Sequence, residues 1–221
     1  MKQALIIGAS GGIGAALAVE LAASGYADTG LSRSKDGLDL TDGASVEHHL
    51  RKVTGPFDLV IVASGALEIG AHGPEKSLRQ VSAERLAAQF AVNAIGPALV
   101  LRHAPRLLPR GGRGVFAVLS ARVGSISDNQ LGGWYSYRAA KAAVNQLVRT
   151  AAIELARSHP QSIVVSLHPG TVATAFTQKY LGRHPAVAPD HAARNLCAVI
   201  DGLQPADSGG FFDWSGARVD Y

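Results

Sequence analysis

The opening stretch, Ala4-Leu5-Ile6-Ile7-Gly8-Ala9-Ser10-Gly11-Gly12-Ile13-Gly14, constrains the fold of this chain more than any other. A short apolar run enters a glycine-rich turn, and apolar residues at helical spacing follow through Ile13, Leu17 and Leu21. The pattern reads as strand, tight turn, helix. Glycines in such a turn let the backbone approach a diphosphate closely. The start of the following helix adds unpaired N–H groups and a partial positive charge. The spacing is Gly-x-x-x-Gly-x-Gly, carried by Gly8, Gly12 and Gly14, because Gly12-Ile13-Gly14 is followed by Leu17. Taken alone, it fits a tight turn with close helix packing as well as a ligand cradle.

Apolar runs and helical patterns alternate along the rest of the chain, which argues for a parallel sheet covered on both faces. Strands are predicted at 4–7, 27–31, 38–40, 59–63, 115–119, 163–167 and 210–212. Helices are predicted at 13–24, 44–53, 83–108, 134–158 and 189–203. Pro97 and Pro105 should kink or break the third helix. Right-handed crossovers then give an α/β, single-domain Rossmann fold over residues 1–221, a doubly wound seven-stranded parallel sheet. Ligand should lie at the carboxyl ends of the strands. Segments 70–74 and 178–189 read as loops, the second able to cover a substrate.

Composition narrows the class. With 221 residues and 47% hydrophobic content, one domain can bury a full core. No run of about 18 apolar residues exists to span a membrane. The Met1-Lys2 start does not read as a signal peptide. One cysteine, Cys197, lies in an apolar helical segment and makes no internal disulfide, so a cytoplasmic, reducing location is expected. The net charge of +4 is scattered, without the clustering or aromatic interleaving of a nucleic-acid binder. His103, His168 and the pair His48-His49 lack ligand spacing with acids or cysteines, so no metal is expected.

Tyr137 and Lys141 stand four residues apart in a helical stretch, which stacks phenol and ammonium on one face. A fixed cation one turn away would stabilise the phenolate and bring its pKa, normally about 10, toward the working range. Tyr135 has Ala139 four residues on, so it lacks this partner. Together with the opening glycines, the pair resembles the short-chain dehydrogenase/reductase family over essentially the whole chain. Asn93 in Asn93-Ala94-Ile95-Gly96 matches the family's helix asparagine, and Pro169-Gly170-Thr171-Val172-Ala173-Thr174 its Pro-Gly-x-Val-x-Thr segment. The stretches 120–126, 132–137 and 209–214 look like the C-factor-like and sniffer-like carbonyl reductases.

The resemblance implies a carbonyl reductase. In it Tyr137 protonates a substrate oxygen, Lys141 lowers the Tyr137 pKa and holds the nicotinamide ribose, and Asn93 holds a relay water. Gly8, Ser10, Gly12, Ile13 and Gly14 would cradle the cofactor. Asp39 and Leu40 would flank the adenine, and Ala63-Ser64-Gly65 fall where the family usually carries Asn-Ala-Gly. Ser64 would then replace the asparagine's structural hydrogen bonds. Pro169, Gly170, Val172 and Thr174 would frame the nicotinamide carboxamide and a neighbouring phosphate. Asp28 lies too early to reach the ribose, whereas Arg33 ends the second strand with a planar fork suited to a phosphate, helped by Ser32 and Ser34. NADP(H) is therefore the expected cofactor. Small-molecule carbonyl or alcohol substrates are expected, with Arg122, Trp134, Phe176 and Tyr180 near them. The family habit is a homodimer or homotetramer, for which the Ala-rich face of Ala139, Ala140, Ala142 and Ala143 would permit close packing.

One position departs from the family. Ser120-Ala121-Arg122-Val123-Gly124 puts Ala121 where a carbonyl-polarising serine is usual. Ser120 could reach the site through a one-residue bulge, Ser125 could turn back into it, or Tyr137 works alone. Ser120 is the preferred candidate. A signalling protein that binds dinucleotide with vestigial catalysis remains the alternative reading.

Overall fold

The computed structural model describes residues 1–70, 72–181 and 185–221. Six strands form one parallel sheet: β1 (Lys2–Ile7), β2 (Tyr26–Leu31), β3 (Leu59–Val62), β4 (Gly114–Leu119), β5 (Ser162–His168) and β6 (Phe211–Asp213). Their order is β2-β1-β3-β4-β5-β6, with every neighbour parallel. The helices are α1 (Gly12–Ala23), α2 (Arg33–Asp36), α3 (Gly43–Arg51), α4 (Ala83–Phe90), α5 (Gly96–Leu101), α6 (Ala104–Leu107), α7 (Tyr135–Leu155) and α8 (Pro189–Gly202).

Strand alternation sorts the core into two layers. Val115, Ala117 and Leu119 of β4 pack with Leu17 and Leu21 of α1 and with Ala193, Leu196 and Ile200 of α8. Phe116 and Val118 face the other way, onto Val46 and Leu50 of α3, Val100 of α5 and Val144, Val148 and Ala152 of α7. Central strands buried on both faces explain the continuous apolar runs at β1, β3 and β4.

The seventh strand expected at 38–40 does not form. Leu38 and Leu40 are buried, which produced the alternating pattern. Their backbone, however, follows the short helix α2 and its left-handed cap at Gly37, and its donors are satisfied locally. Leu38 N donates to Ser32 O and Asp39 N to Ser45 Oγ, so no ladder is extended.

The single helix expected at 83–108 is also segmented. A π-helical turn, Ala91–Ile95, separates α4 from α5. Pro97 has no N–H to give to the Asn93 carbonyl four residues earlier, and the chain widens there, with Gly96 N donating to Ala91 O. The second interruption falls at Arg102 and His103, before α6 begins at Ala104 with Pro105 in its first turn.

The strand order reverses beside β1, between β2 and β3. There Gly8 N donates to Leu31 O at 2.7 Å and Ala63 N to Ile7 O at 2.8 Å. Gly14 packs so tightly that a Cβ would lie 2.2 Å from Gly8 O. Gly14→Ala is therefore expected to lose about 1–3 kcal/mol by overpacking. Gly111→Ala, where an added Cβ meets no atom within 4 Å, should stay within about 0.5 kcal/mol. Denaturant midpoints of the two variants check both.

Candidate active site

The carboxyl ends of β1, β2 and β3 meet around the glycine turn. Gly8 has φ of +91°, and a Cβ on it would lie 2.9 Å from Ser64 N. A Cβ on Gly12 would lie 2.7 Å from Thr174 Cγ2, so the opening turn abuts the Pro169–Thr174 stretch. Helix α1 starts at an N-cap glycine with no side-chain cap and no acid in its first turn, leaving the donors near Gly12, Ile13 and Gly14 for a ligand.

Arg33 begins α2 immediately beyond β2 and is exposed, while Asp28 pairs in mid-strand with Ala4. Ser34 Oγ donates to Ser10 Oγ at 2.9 Å, joining the strand end to the glycine turn. The Ser32 hydroxyl, by contrast, is buried and spent on Lys35 N and Asp36, so it cannot serve a ligand as expected. Asp39 accepts from Thr41 N and Thr41 Oγ1, which with the nearby Arg33 charge outweighs its slight burial and holds its carboxyl below the usual range. Ser64 Oγ is buried without a protein partner, so it does not replace the hydrogen bonds of an asparagine.

Tyr137 and Lys141 are both buried on α7, 6% and 3% exposed, with Lys141 Nζ 5.8 Å from the Tyr137 ring centroid. Lys141 Nζ donates to Leu119 O at 2.9 Å, tying the helix to the end of β4. A Cβ on Gly65 would come within 3.0 Å of Asn93 Oδ1 and 3.7 Å of Lys141 Nζ, so all three converge. Asn93 Oδ1 accepts from Ala66 N, and its amide donates to Ala66 O and Gln89 Oε1. One amide proton of Asn93 thus holds the loop after β3 and the other is taken by Gln89 on α4, leaving the side chain none to offer a relay water.

The electrostatics differ from the sequence expectation. Burial pushes the Tyr137 phenol up, well above its ordinary value, and pushes Lys141 down to about 8. Desolvation opposes charge on both groups and dominates the attraction expected between them.

The serine question resolves partly. The ladder runs without a bulge to the Leu119–Leu167 pair, and Ser120 N continues it by donating to Leu167 O at 2.8 Å. Ser120 follows Val118 on the α7 side of the sheet by alternation, and its buried Oγ has no protein partner. Ala121 is extended. Ser125 Oγ accepts from Asp128 N and contacts Ser127 Oγ, so it is held in its own turn.

Aromatic rings line the approach. Trp134 stands edge-on to Tyr137, at 6.2 Å between centroids, and to Tyr180, at 5.6 Å. Tyr180 Oη donates to Glu68 Oε1, and Lys179 Nζ to Glu68 Oε2, both at 2.7 Å. Phe176 is partly exposed, and Arg122 is paired with Asp128. Residues 182–184 of the expected covering loop lie outside the described residues. Among the described residues, no three His, Cys, Asp or Glu side chains gather as a metal site, and no helix is long and apolar enough to cross a membrane.

Sequence reading missed Gln89, Glu68 and Glu75. Gln89 stands four residues before Asn93, a spacing that signals a shared helix face. Glu68 and Glu75 sit in loop sequence, where only tertiary contact reveals their partners.

The glycine turn at the strand reversal thus stands beside a buried tyrosine and lysine. The family described as enoyl-(acyl carrier protein) reductase matches residues 37–201. C-signal of Myxococcus xanthus is 38% identical over 75% of this chain and 93% of its own. The 1-hydroxy-2-glutathionyl-2-methyl-3-butene dehydrogenase of Rhodococcus sp. strain AD45 is 32% identical over 79% of this chain and 74% of its own. A short-chain dehydrogenase/reductase of Burkholderia multivorans, solved with bound NADP, shares the fold with a TM-score of 0.82. It is 24% identical, covering 100% of this chain and 99% of that one. The chain belongs to the short-chain dehydrogenase/reductase family.

The buried lysine has a consequence for stability. Its folded pKa, about 8, lies below the ordinary 10.5, so between these values the unfolded chain holds a proton the native one has released. Stability from this group therefore rises with pH across that window, and the penalty is complete below it. Relative to Lys141→Met, the natural chain should gain roughly 3 kcal/mol from pH 8 to 10.5 at about 1.4 kcal/mol per pKa unit. Tyr137 is common to both proteins, so its own titration cancels. Unfolding measured at several pH values in that window tests the sign.

Proposed function

We propose that this protein is an NADP(H)-dependent oxidoreductase that reduces the carbonyl of an aldehyde, ketone or quinone to an alcohol, with Tyr137 as proton donor. The observation that carries this reading is the convergence of buried Tyr137 and Lys141 with Gly65 and the glycine turn. The residues present fit the cofactor. Gly8, Gly12 and Gly14 keep side chains out of the turn, and Ser64 Oγ is a buried hydroxyl without a protein partner. Arg33 and the Ser10–Ser34 pair suit a ribose phosphate, as does the NADP bound by the Burkholderia protein of like fold.

When bound, the cofactor supplies the hydride; the chain supplies the proton and the frame. Gly8, Ser10, Gly12, Ile13 and Gly14 would hold the diphosphate, and Arg33 the 2′-phosphate. Asp39 and Leu40 would flank the adenine, with Ala63, Ser64 and Gly65 lining the cofactor between them and Lys141. Pro169, Gly170, Val172 and Thr174 would frame the nicotinamide carboxamide and a neighbouring phosphate. A phenol raised by burial stays protonated at neutral pH, which is the form a proton donor needs. Lys141 is largely charged below pH 8 and compensates the phenolate as the proton leaves. Asn93 and Gln89 hold the Gly65–Ala66 backbone against this pair. Ser120, with a buried hydroxyl lacking a partner, is the second donor to the substrate oxygen; such a donor is typically worth about 2.7–4 kcal/mol.

Ala121 keeps a second reading open, a dinucleotide-binding signalling protein with vestigial catalysis, and the relative named C-signal favours it. Tight NADPH binding without turnover of any aldehyde, ketone or quinone would decide for that reading. By family resemblance we also propose a cytoplasmic homodimer or homotetramer. Ala140 is fully buried within the chain, so it does not serve as a contact between subunits, while Ala143 is partly buried against the chain's own core.

NADPH oxidation with a carbonyl panel tests the reading. Tyr137→Phe should lower kcat/KM at least a hundredfold, and Ser120→Ala by about a hundredfold or more. Arg33→Glu should reverse the preference for NADPH over NADH, with KM for NADPH rising at least tenfold. Unchanged turnover in Tyr137→Phe would refute the assigned chemistry.

A further inference from the structure

Helix α7 carries both Tyr137 and Lys141, yet it cannot cap itself. Its N-cap residue, Trp134, sits at φ of 52°, a left-handed conformation rare outside glycine, and provides no side-chain acceptor. Gly132 and Gly133 precede it, also at positive φ. Two of its N-terminal donors, Trp134 N and Ser136 N, are satisfied instead by Glu75, 61 residues before Ser136. Glu75 Oε2 accepts from Ser136 N at 3.2 Å, Glu75 Oε1 accepts from Ser136 Oγ, and the Glu75 carbonyl accepts from Trp134 N. Glu75 is only 2% exposed and Ser136 is fully buried. Burial pushes the Glu75 carboxyl up, but hydrogen bonds from Ser136 and from its own backbone, with the nearby Arg85 charge, outweigh it and hold the group below the usual range.

A buried carboxylate is costly without close partners, so its retention here demands a compensating interaction. The helix N-terminus supplies one through its free N–H groups and partial positive charge. Tyr137 is the residue directly after Ser136, so whatever orients Ser136 orients the phenol. The same loop also reaches the far side of the site. Glu68 takes Tyr180 and Lys179, and a Cβ on Gly73 would lie 3.2 Å from Tyr180 Oη. One stretch, from Glu68 to Glu75, thus touches both the start of the tyrosine-bearing helix and the segment after β5 that approaches it.

We propose that Glu75 is a positioning residue: its side chain caps α7 in place of a local cap and fixes the direction of Tyr137 toward the substrate oxygen. This role rests on the carbonyl-reductase reading given above. Small displacements of a reacting group cost rate steeply, about a hundredfold for roughly 1 Å. Removing the carboxylate therefore lowers kcat and leaves the nucleotide cradle, which sits on β1 and α1, intact.

The test compares Glu75→Ala and Glu75→Gln with the natural protein. NADPH affinity is read by fluorescence titration, kcat and KM on the best carbonyl of the panel, and exchange of the Ser136 to Arg138 amides by hydrogen–deuterium exchange. Expected are a tenfold or larger fall in kcat for Glu75→Ala, NADPH affinity within threefold, and faster exchange confined to the first turn of α7. Glu75→Gln keeps an acceptor for Ser136 N and should recover kcat to within about threefold of the natural protein. A Glu75→Ala protein with natural kcat, or with natural protection at Ser136, overturns the role, whatever its melting temperature. If Glu75→Ala does not fold, Glu75→Asp carries the test: its shorter side chain withdraws the carboxylate from Ser136 N, and natural kcat with natural first-turn protection in that variant overturns the role. Absence of turnover by the natural protein would instead strike the functional reading, and this role with it.

Discussion

A single buried charge organises the site. Lys141 is all but removed from solvent, and the protein acceptor it finds is the Leu119 carbonyl at the end of β4. An ammonium in that position is tolerable only if backbone and ligand groups crowd around it. Two glycines follow from this demand. A Cβ on Gly124 would come within 2.9 Å of the Lys141 backbone, and one on Gly65 within 3.0 Å of Asn93. The turn after β4 and the loop after β3 are therefore drawn against the same stretch of α7. Burial also depresses the lysine to about 8, where proton exchange at physiological pH becomes feasible.

Asn93 shows how the fold converts a proline into site geometry. Pro97 cannot complete the helical bond to the Asn93 carbonyl, and the π turn over Ala91–Ile95 absorbs the mismatch. Its side chain holds the Ala66 backbone on both edges, with Gln89 closing the set. The loop after β3 is thereby fixed with Gly65 beside Lys141. The long loop that follows gains two further anchors, Glu68 on Tyr180 and Glu75 on Ser136.

Much of this was legible in sequence where local chemistry decides. The glycine turn after β1, the Tyr137–Lys141 pair and the alternation of strand and helix each rest on short-range periodicity, and each formed. The expected strand at 38–40 failed because alternating burial of Leu38 and Leu40 also arises in a coil pressed on the core. Whether such a segment joins a ladder depends on which groups satisfy its backbone. The hydroxyls divided similarly. Ser32, Ser64, Ser120 and Ser125 look alike in sequence, but the local turns engage Ser32 and Ser125 while Ser64 and Ser120 stay unpaired.

The sequence by itself determined the doubly wound architecture, the four-residue spacing of Tyr137 and Lys141 on one helix and, through resemblance of its motifs, the family, because periodicity and motif spacing act within a few residues. Only the tertiary structure decided the ionisation of those side chains, since desolvation depends on everything packed around them. It alone decided that the Ser64 and Ser120 hydroxyls stay unpaired and how α7 is capped. The Glu75–Ser136 contact spans 61 residues of chain, a separation over which no local pattern carries information.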